Sequence, residues 1–287
     1  MTTKCLTSFA LVFALALLWS GCASETAKGL YNSGNEKGQK HDLDGAIVDY
    51  TQAITLNPRF HAAYFNRGLA KVRKRDLDGA IADFTQAIAL KTSDPNGYHA
   101  RGSARFERAY ATNKEDKNDL DAAIADYTAA IETDPKYAPA YINRGCVKQR
   151  NGNLDSAITD FTQAIALKPY EPNGYYLRGS ARFARAHATG KEDKNDLAAA
   201  IADYTKTIAL DPKHAGAYLD RGLIKQNMRD LDGAIADFTE SIKCDPKSQG
   251  ARAYWNRGLA KRDKGDNSGA EEDFAQAIKH GAGCKPP

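Results

Sequence analysis

Helical periodicity dominates the pattern of hydrophobic and polar residues along this chain. Five segments share nearly the same string, LDGAIADFTQAI and its variants, and they begin at Leu77, Leu120, Leu154, Leu197 and Leu231. Apolar and small residues three and four positions apart lie on one face of a helix, so each string predicts an amphipathic helix. Prolines, which cannot continue a helix, mark the ends of such segments at Pro58, Pro135, Pro169, Pro212 and Pro246.

A second motif, Arg-Gly, alternates with this string and marks another helix. It stands at 67–68, 101–102, 144–145, 178–179, 221–222 and 257–258. The unit is therefore a helix, a turn, a second helix and a stop. Self-similarity of this kind indicates a repeat protein, in which each helix pair packs on its neighbours.

The unit resembles the tetratricopeptide repeat, a pattern of 34 residues with small and aromatic residues at fixed positions. Seven copies fit, at 27–60, 61–94, 95–137, 138–171, 172–214, 215–248 and 251–284. The resemblance implies an all-α fold, a right-handed superhelical solenoid of seven helix-turn-helix repeats. Position 8 of each copy is Gly, because a side chain there would force the two helices apart.

Two of the seven copies are longer than the others. The third and fifth each contain nine extra residues between their helices, and both insertions carry KEDKND, at 114–119 and 191–196. We expect each insertion to lengthen the first helix and its turn, and to form a charged knuckle on one edge. The knuckles are either solvated extensions without a partner or a docking surface.

An ion-pair pattern also recurs down the chain. Position 23 is Asp in every copy: Asp49, Asp83, Asp126, Asp160, Asp203, Asp237 and Asp273. Position 7 is Arg in all copies but the first, which has Ser33: Arg67, Arg101, Arg144, Arg178, Arg221 and Arg257. We predict a structural ladder in which each Arg bonds to the Asp of the preceding repeat, beginning with Asp49 and Arg67. The missing Arg of the first copy fits this prediction, because that copy has no predecessor.

The family resemblance implies a concave groove lined by the first helices, and hence a protein–protein interaction scaffold that binds polypeptide segments there. Position 6 holds Asn32, Asn66, Asn143 and Asn256. In relatives that bind extended peptides, Asn at this position bonds to the ligand backbone, since an amide both donates and accepts. Position 5 supplies apolar and aromatic anchors: Tyr31, Phe65, Ile142, Tyr176 and Trp255. The alternative for the Asn residues is a solvated helix face without a ligand.

Residues 1–21 have the composition of a secretory signal. Lys4 precedes an apolar run from Leu6 to Trp19, which is too short to span a bilayer comfortably. The following Ser20-Gly21-Cys22 resembles a bacterial lipoprotein signal, which implies lipidation of Cys22, a linker over 22–26, and a place on the periplasmic face of the outer membrane. An ordinary signal cleaved after Ala23, giving a soluble periplasmic or secreted protein, is the alternative.

The charge balance and the motifs of the sequence exclude further classes of function. The chain has 40 basic and 36 acidic residues, and both signs recur in every stretch, which argues against a nucleic-acid partner. No sequence motif for a catalytic nucleophile, a phosphate-binding loop or a metal is present, so we expect no enzyme activity, cofactor or metal. The expected partners are proteins or peptides, and the membrane through the lipid.

A second function stays open at this point. It is a structural envelope lipoprotein that docks a membrane complex through its convex face or its charged insertions, without peptide capture. A homodimer through the last repeat and a disulfide between Cys244 and Cys284 also stay open. The tail, 285–287, is short.

Overall fold

A computed structural model describes residues 24–111, 116–188, 193–247 and 250–281. Within these ranges the chain is helical apart from its turns, and no residue is in a strand. Helix α1 covers residues 24–39. The helices that follow are α2 (Leu43–Leu56), α3 (His61–Arg73), α4 (Leu77–Leu90), α5 (Pro95–Ala111), α6 (Lys117–Thr133), α7 (Ala138–Arg150), α8 (Leu154–Leu167), α9 (Pro172–Ala188), α10 (Lys194–Leu210), α11 (Ala215–Asn227), α12 (Leu231–Cys244), α13 (Gly250–Asp263) and α14 (Asn267–Lys279).

The chain divides into two compact units, Met1–Asn143 and Arg144–Pro287, and the division falls within α7. In the first unit α3 packs on α2 and α4, and α5 packs on α4 and α6. In the second unit α9 packs on α8 and α10, α11 on α10 and α12, and α13 on α12 and α14. Helices adjacent in sequence are therefore adjacent in space, as the helix-turn-helix pattern predicts.

Each helix pair is held together by an aromatic ring on its second helix. In the first unit Phe84 is fully buried and lies so close to Gly68 that an added Cβ would come within 2.7 Å of its ring. In the second unit Phe238 has the same relation to Gly222, again at 2.7 Å. A contact that short cannot be accommodated, because the ring itself has no free space around it.

This packing predicts opposite outcomes for two Gly→Ala substitutions. Gly222→Ala should lower the free energy of unfolding by about 1–3 kcal/mol, the usual cost of overpacking a core. Gly29→Ala, on α1 with no atom within 4 Å of the added Cβ, should instead raise it by about 0.5–1 kcal/mol through helix propensity. Urea denaturation of both variants measures the difference, and two changes of the same sign would contradict the packing described.

The sequence Asp-x-x-Gly recurs at the start of second helices, and the capping of those helices by the Asp side chain explains it. Asp42 and Asp76 accept hydrogen bonds at 2.9 and 3.0 Å from the backbone N–H three residues later. Asp230 and Asp266 do the same at 3.0 and 2.9 Å in the second unit. The donating residue is Gly in each case, because a Cβ there would lie within 2.3 Å of the capping carboxylate. These caps fix where α2, α4, α12 and α14 start.

The insertions lengthen both helices of their repeats, not only the first. Helices α5 and α9 have 17 residues where α3, α7 and α11 have 13, and α6 and α10 also have 17 where α4 has 14. Asp116 and Asp193 cap α6 and α10, with bonds of 2.9 and 2.8 Å to Asn118 N and Asn195 N. Residues 112–115 and 189–192 of the insertions lie outside the described residues.

The last carboxylate of each predicted charged knuckle is buried and paired within the fold. Asp119 is buried and receives two hydrogen bonds from Arg108, at 2.5 and 2.7 Å. Asp196 and Arg185 form the same pair at 2.5 and 2.7 Å, and the hydrogen bond from Arg185 lowers the pKa of Asp196 against the opposing effect of burial. These carboxylates join the two helices of their own repeat, so they are not open to a partner.

The predictions about the signal segment, the lipid and the disulfide concern residues outside the described ranges. The signal segment 1–21, Cys22 and Cys284 lie outside the described residues, so signal cleavage, lipidation and the Cys244–Cys284 disulfide stay predictions. In the part of the chain that the structure does describe, no helix combines the length and apolar character needed to cross a bilayer.

Candidate functional site

The ion pairs form within each repeat, and the prediction that each Arg pairs with the preceding Asp is wrong. Arg67 donates to Asp83 at 2.6 and 2.9 Å, and the Asp49–Arg67 pair does not form. The other five contacts have the same intra-repeat arrangement at 2.6–2.7 Å: Arg101–Asp126, Arg144–Asp160, Arg178–Asp203, Arg221–Asp237 and Arg257–Asp273.

The close approach at Gly explains this pairing. A Cβ at Gly102 would lie 3.1 Å from the Cβ of Asp126, so Arg101, next to Gly102, lies beside that carboxylate. The contact to the preceding repeat exists, but it goes to a threonine. Arg67 donates its remaining nitrogen to Thr51 Oγ1 at 3.0 Å, and Arg221 donates to Thr205 Oγ1 at 3.0 Å.

A second cation at position 11 completes each cluster, and the sequence analysis missed it. The same Asp oxygens lie 2.6–3.0 Å from Lys37, Lys71, Arg105, Lys148, Arg182, Lys225 and Lys261. In the first repeat Ser33 takes the place of the Arg and donates to Asp49 at 2.6 Å. Burial alone would raise the pKa of Asp49, but hydrogen bonds from Lys37 and Ser33 outweigh it and hold that pKa below its ordinary value.

The ion-pair clusters therefore have a structural role. Each carboxylate is buried and accepts hydrogen bonds from two cations, or from a cation and a hydroxyl, so its charge is compensated within the fold. A general acid or base would need a group that can donate or accept a proton and that is open to substrate. These clusters fix the spacing of the helices that carry the groove residues.

Two concavities in the first unit lie where the groove is expected. The larger, of about 870 Å³, lies mainly against α1 and α3, with part of α2 beneath it, and includes Asn35, Gln39, Asn66 and Arg73 in its lining. We call it the α1/α3 concavity. The smaller, of about 260 Å³, lies against α3 and α5, and its lining residues are Phe65, Leu69, Val72, Phe84, Asn96, His99, Ala100, Ser103, Ala104 and Glu107. We call it the α3/α5 concavity.

Leu69 joins the two concavities. It lines both, and it is 40% exposed, which makes it one of the few large apolar side chains of the described residues that face solvent. Asn66, one helical turn earlier on α3, borders the α1/α3 concavity, and Phe65 borders the α3/α5 concavity. An apolar centre with polar groups around it is the usual composition of a binding site.

The predicted Asn residues take part in hydrogen bonds between first helices. Asn66 Nδ2 donates to Tyr31 Oη at 3.0 Å and to Asn35 Oδ1 at 2.8 Å, which uses both of its hydrogens. Asn143 Nδ2 lies 2.8 Å from His99 Nε2 and 3.4 Å from Ser103 Oγ. A ligand could accept from these amides only by replacing a bond that already joins two repeats.

The other two Asn residues are placed differently. Asn32 is exposed on α1, and Asn256 Nδ2 donates to the carbonyl of Arg252 on its own helix at 2.8 Å. Their role in binding stays a prediction.

The predicted position-5 anchors pack against the aromatic core and are half-buried, so only part of each ring faces the groove. The centroid distances are 5.9 Å for Tyr31–Tyr50, 5.6 Å for Phe65–Phe84, 5.8 Å for Tyr176–Tyr204 and 5.0 Å for Trp255–Phe274. Ile142 is half-buried on α7.

Position 9 supplies groove residues that the sequence analysis did not single out. Asn35, Leu69 and Ser103 all occupy it, and each lines a concavity. One signal was available, because position 9 is one helical turn beyond position 5 and must share its face. Cys146, also at position 9, is a free thiol, and burial raises its pKa to about 11, so it is not a reactive thiolate.

Sequence models of the tetratricopeptide repeat match this chain over 31–95, 185–248 and 219–283, which together make up more than half of it. Further models of the same repeat match 116–152 and 138–171. No curated protein sequence matches the chain.

Solved structures agree on the fold. A tetratricopeptide repeat protein from Parabacteroides merdae is 19% identical, with a TM-score of 0.64, covering 90% of this chain and 94% of that one. MamA is 29% identical, with a TM-score of 0.51 over 57% of this chain and 90% of its own. YrrB, described as having an unusual peptide-binding site, is 22% identical, with a TM-score of 0.52 over 70% of this chain and 93% of its own. The predicted all-α tetratricopeptide fold is confirmed.

Proposed function

This chain belongs to the tetratricopeptide-repeat family, and we propose that it is an adaptor that binds polypeptide segments along its first helices. Proteins of this family generally act as protein-interaction scaffolds and are generally not enzymes. The observation that carries the proposal is the pair of concavities in the first unit, which meet at the exposed Leu69.

The chemistry of these concavities suits an extended peptide. Phe65, Leu69 and Val72 provide apolar surface for side chains, and Gln39, Asn96 and Ser103 provide polar groups around it. Peptide grooves generally combine apolar pockets with a few polar groups that fix orientation. The likeness to YrrB, a protein with a peptide-binding site, is consistent with this proposal.

Selection from a displayed library of random peptides tests the proposal. We expect the wild-type protein and Leu56→Asp to enrich the same peptides, and Leu69→Asp to enrich none of them. Leu56 is the matched control, since it is 41% exposed and lies on a second helix, α2, outside both concavities. Enrichment that survives Leu69→Asp and is lost in Leu56→Asp would place binding elsewhere.

We also propose that the protein is held at the cell envelope by lipid on Cys22, on the periplasmic face of the outer membrane. The support is the order of an apolar run, small residues and Cys22 at the start of the chain. Cys22→Ser should move the protein from the membrane fraction to the soluble one and remove the mass of the acyl chains. Membrane association that is unchanged in Cys22→Ser would rule out this anchor.

Docking through the charged insertions is the competing function. Asp119 and Asp196 are engaged with Arg108 and Arg185, which supports the groove over the insertions. Lys117 and Lys194 are exposed and remain accessible to a partner. A Lys117→Glu, Lys194→Glu double variant should therefore leave peptide selection unchanged. If it abolishes association with envelope proteins while Leu69→Asp does not, the docking function takes the place of the proposed one.

A further inference from the structure

Three equivalent junctions between first helices differ at position 6 of their later helix, which is Asn in two of them and Asp in the third. At the α1/α3 junction Asn66 Nδ2 bonds to Tyr31 and Asn35, and Asn35 also accepts from Tyr50 Oη at 2.8 Å. At the α5/α7 junction the same network consists of Asn143, His99, Ser103 and Tyr127, with 3.2 Å between Ser103 Oγ and Tyr127 Oη. In both, an amide N–H₂ donates to the side chains around it.

The α9/α11 junction of the second unit has a carboxylate in place of this amide. Asp220 accepts a hydrogen bond from Tyr176 Oη at 3.0 Å, in the position where Asn66 donates to Tyr31. An ionised carboxylate has no hydrogen to donate. Tyr176 is therefore the donor in its bond, whereas the equivalent Tyr31 is an acceptor. Position 6 supplies no N–H donor at the α9/α11 junction.

The same junction also contains a buried hydroxyl without a partner. Tyr204, the counterpart of Tyr50 and Tyr127, is fully buried, and its Oη has no hydrogen-bond partner among the described residues. Its ring packs on Tyr176, with centroids 5.8 Å apart. The serine that would serve it, Ser180, accepts from Gln149 Nε2 at 3.2 Å instead. Buried polar groups without a partner are rare in proteins and need an explanation.

The charges around Asp220 are only partly complementary. Burial raises the pKa of Asp220, while the Tyr176 hydroxyl and the nearby Arg252 and His214 lower it by less. Arg252 is exposed on α13, and no ion pair between it and Asp220 is present within 4.0 Å in the described chain. His214 Nδ1 is engaged in capping α11, where it accepts from Ala217 N at 3.1 Å.

We propose that the α9/α11 junction is a subsite for a lysine or arginine side chain of the bound polypeptide. The cationic group donates to Asp220 and to Tyr204 Oη, which gives the junction the N–H donors that Asn66 and Asn143 supply elsewhere. Access from the groove side is expected, because the equivalent α1/α3 network borders a concavity at Asn35, Tyr50 and Asn66. This inference rests on the proposed function and names the chemistry of the partner.

The test compares the peptides that the wild-type protein and Asp220→Asn select from a random library. We expect wild type to enrich Lys or Arg at one fixed position, and Asp220→Asn to lose that preference at least tenfold while still enriching peptides. Peptides without a basic preference, or a preference unchanged in Asp220→Asn, would overturn the subsite and leave the proposed function standing. No enriched peptide at all would overturn both.

A second measurement needs no peptide. n-Butylammonium chloride, titrated into protein with ¹³C-labelled Asp, should shift the Asp220 carboxyl resonance to saturation, whereas n-butanol should not. Equal effects of both compounds would overturn the subsite.

The stability of Asp220→Asn provides the folding control. Burial raises the pKa of Asp220, so the cost of its ionised form is present at neutral pH, falls as pH drops through that raised pKa, and is gone below the ordinary aspartate pKa of about 3.9. Asp220→Asn should therefore raise the unfolding midpoint near neutral pH and lose that advantage in acid. A variant less stable than wild type near neutral pH would show that the carboxylate is already compensated inside the protein, and it would overturn the subsite.

Discussion

The Arg221→Met, Lys225→Met double variant should lose about 3–5 kcal/mol of unfolding free energy, because it leaves Asp237 as an uncompensated buried charge. The Asp237 side chain is 5% exposed, and its oxygens lie 2.7 Å from Arg221 and 2.8 Å from Lys225. Arg221→Met alone keeps Lys225 and should lose less, about 1–3 kcal/mol. Urea denaturation followed by circular dichroism measures these losses.

Arg229→Met is the control for this prediction. Arg229 pairs with Asp263 at 3.2 Å, but its side chain is 78% exposed, so its removal should cost less than about 1 kcal/mol. If the Arg221→Met, Lys225→Met variant loses no more unfolding free energy than Arg229→Met, the structural role of the ion-pair clusters is contradicted.

A double-mutant cycle separates the pairing within a repeat from pairing with the preceding one. Arg221 and Asp237 should show a coupling energy of about 0.5–3 kcal/mol, whereas Arg221 and Asp203 should show far less. Asp203 already has its own cations, Arg178 at 2.7 Å and Arg182 at 2.6 Å. A larger coupling energy for Arg221 and Asp203 than for Arg221 and Asp237 would instead support pairing between repeats.

Leu69→Asp should weaken the binding of a selected peptide about 30-fold or more, which corresponds to about 2 kcal/mol. Leu69 lines both concavities, so a bound segment would cover it and leave the new carboxylate buried without a partner. Calorimetry with the wild-type and variant proteins gives the two affinities. Leu56→Asp makes the same chemical change outside the concavities and should alter the affinity by less than about threefold.

Much of the fold could be predicted from the sequence because its determinants are local. The Gly at position 8 and the aromatic at position 24, seen in Gly68 and Phe84, are both required wherever two helices approach closely, so they recur at fixed spacing. The capping carboxylates of Asp42 and Asp76 recur for a similar reason, since each needs a Gly three residues later. A periodic pattern of this kind shows which residues meet.

The ion pairs show where such reasoning fails. Asp83 lies 16 residues after Arg67, and Asp49 lies 18 residues before it, so recurrence identifies the residue types but does not select between the two partners. The choice depends on helix contact at Gly68, which places position 7 beside position 23 of the same repeat. Ser33 was a usable signal, because a hydroxyl at position 7 can replace the Arg as donor to Asp49 of its own repeat.

The groove residues were predicted only in part for a different reason. Asn66 and Phe65 each line a concavity, but the hydrogen bond of Asn66 to the preceding repeat depends on side-chain positions that no single repeat specifies. Phe65 packs on Phe84 of its own repeat and is half-buried, so only part of its ring is open to the concavity. Leu69 was not singled out, because exposure of a leucine becomes visible only when the surrounding helices are in place.

The most direct measurement of the central claim is where a bound peptide touches the protein. A photoreactive benzoylphenylalanine in place of Arg73, which lines the α1/α3 concavity, should cross-link to a selected peptide on illumination. The same group in place of Val48, which is 53% exposed on α2 and outside both concavities, should not. Cross-linking at position 48 without cross-linking at position 73 would contradict peptide binding along the first helices.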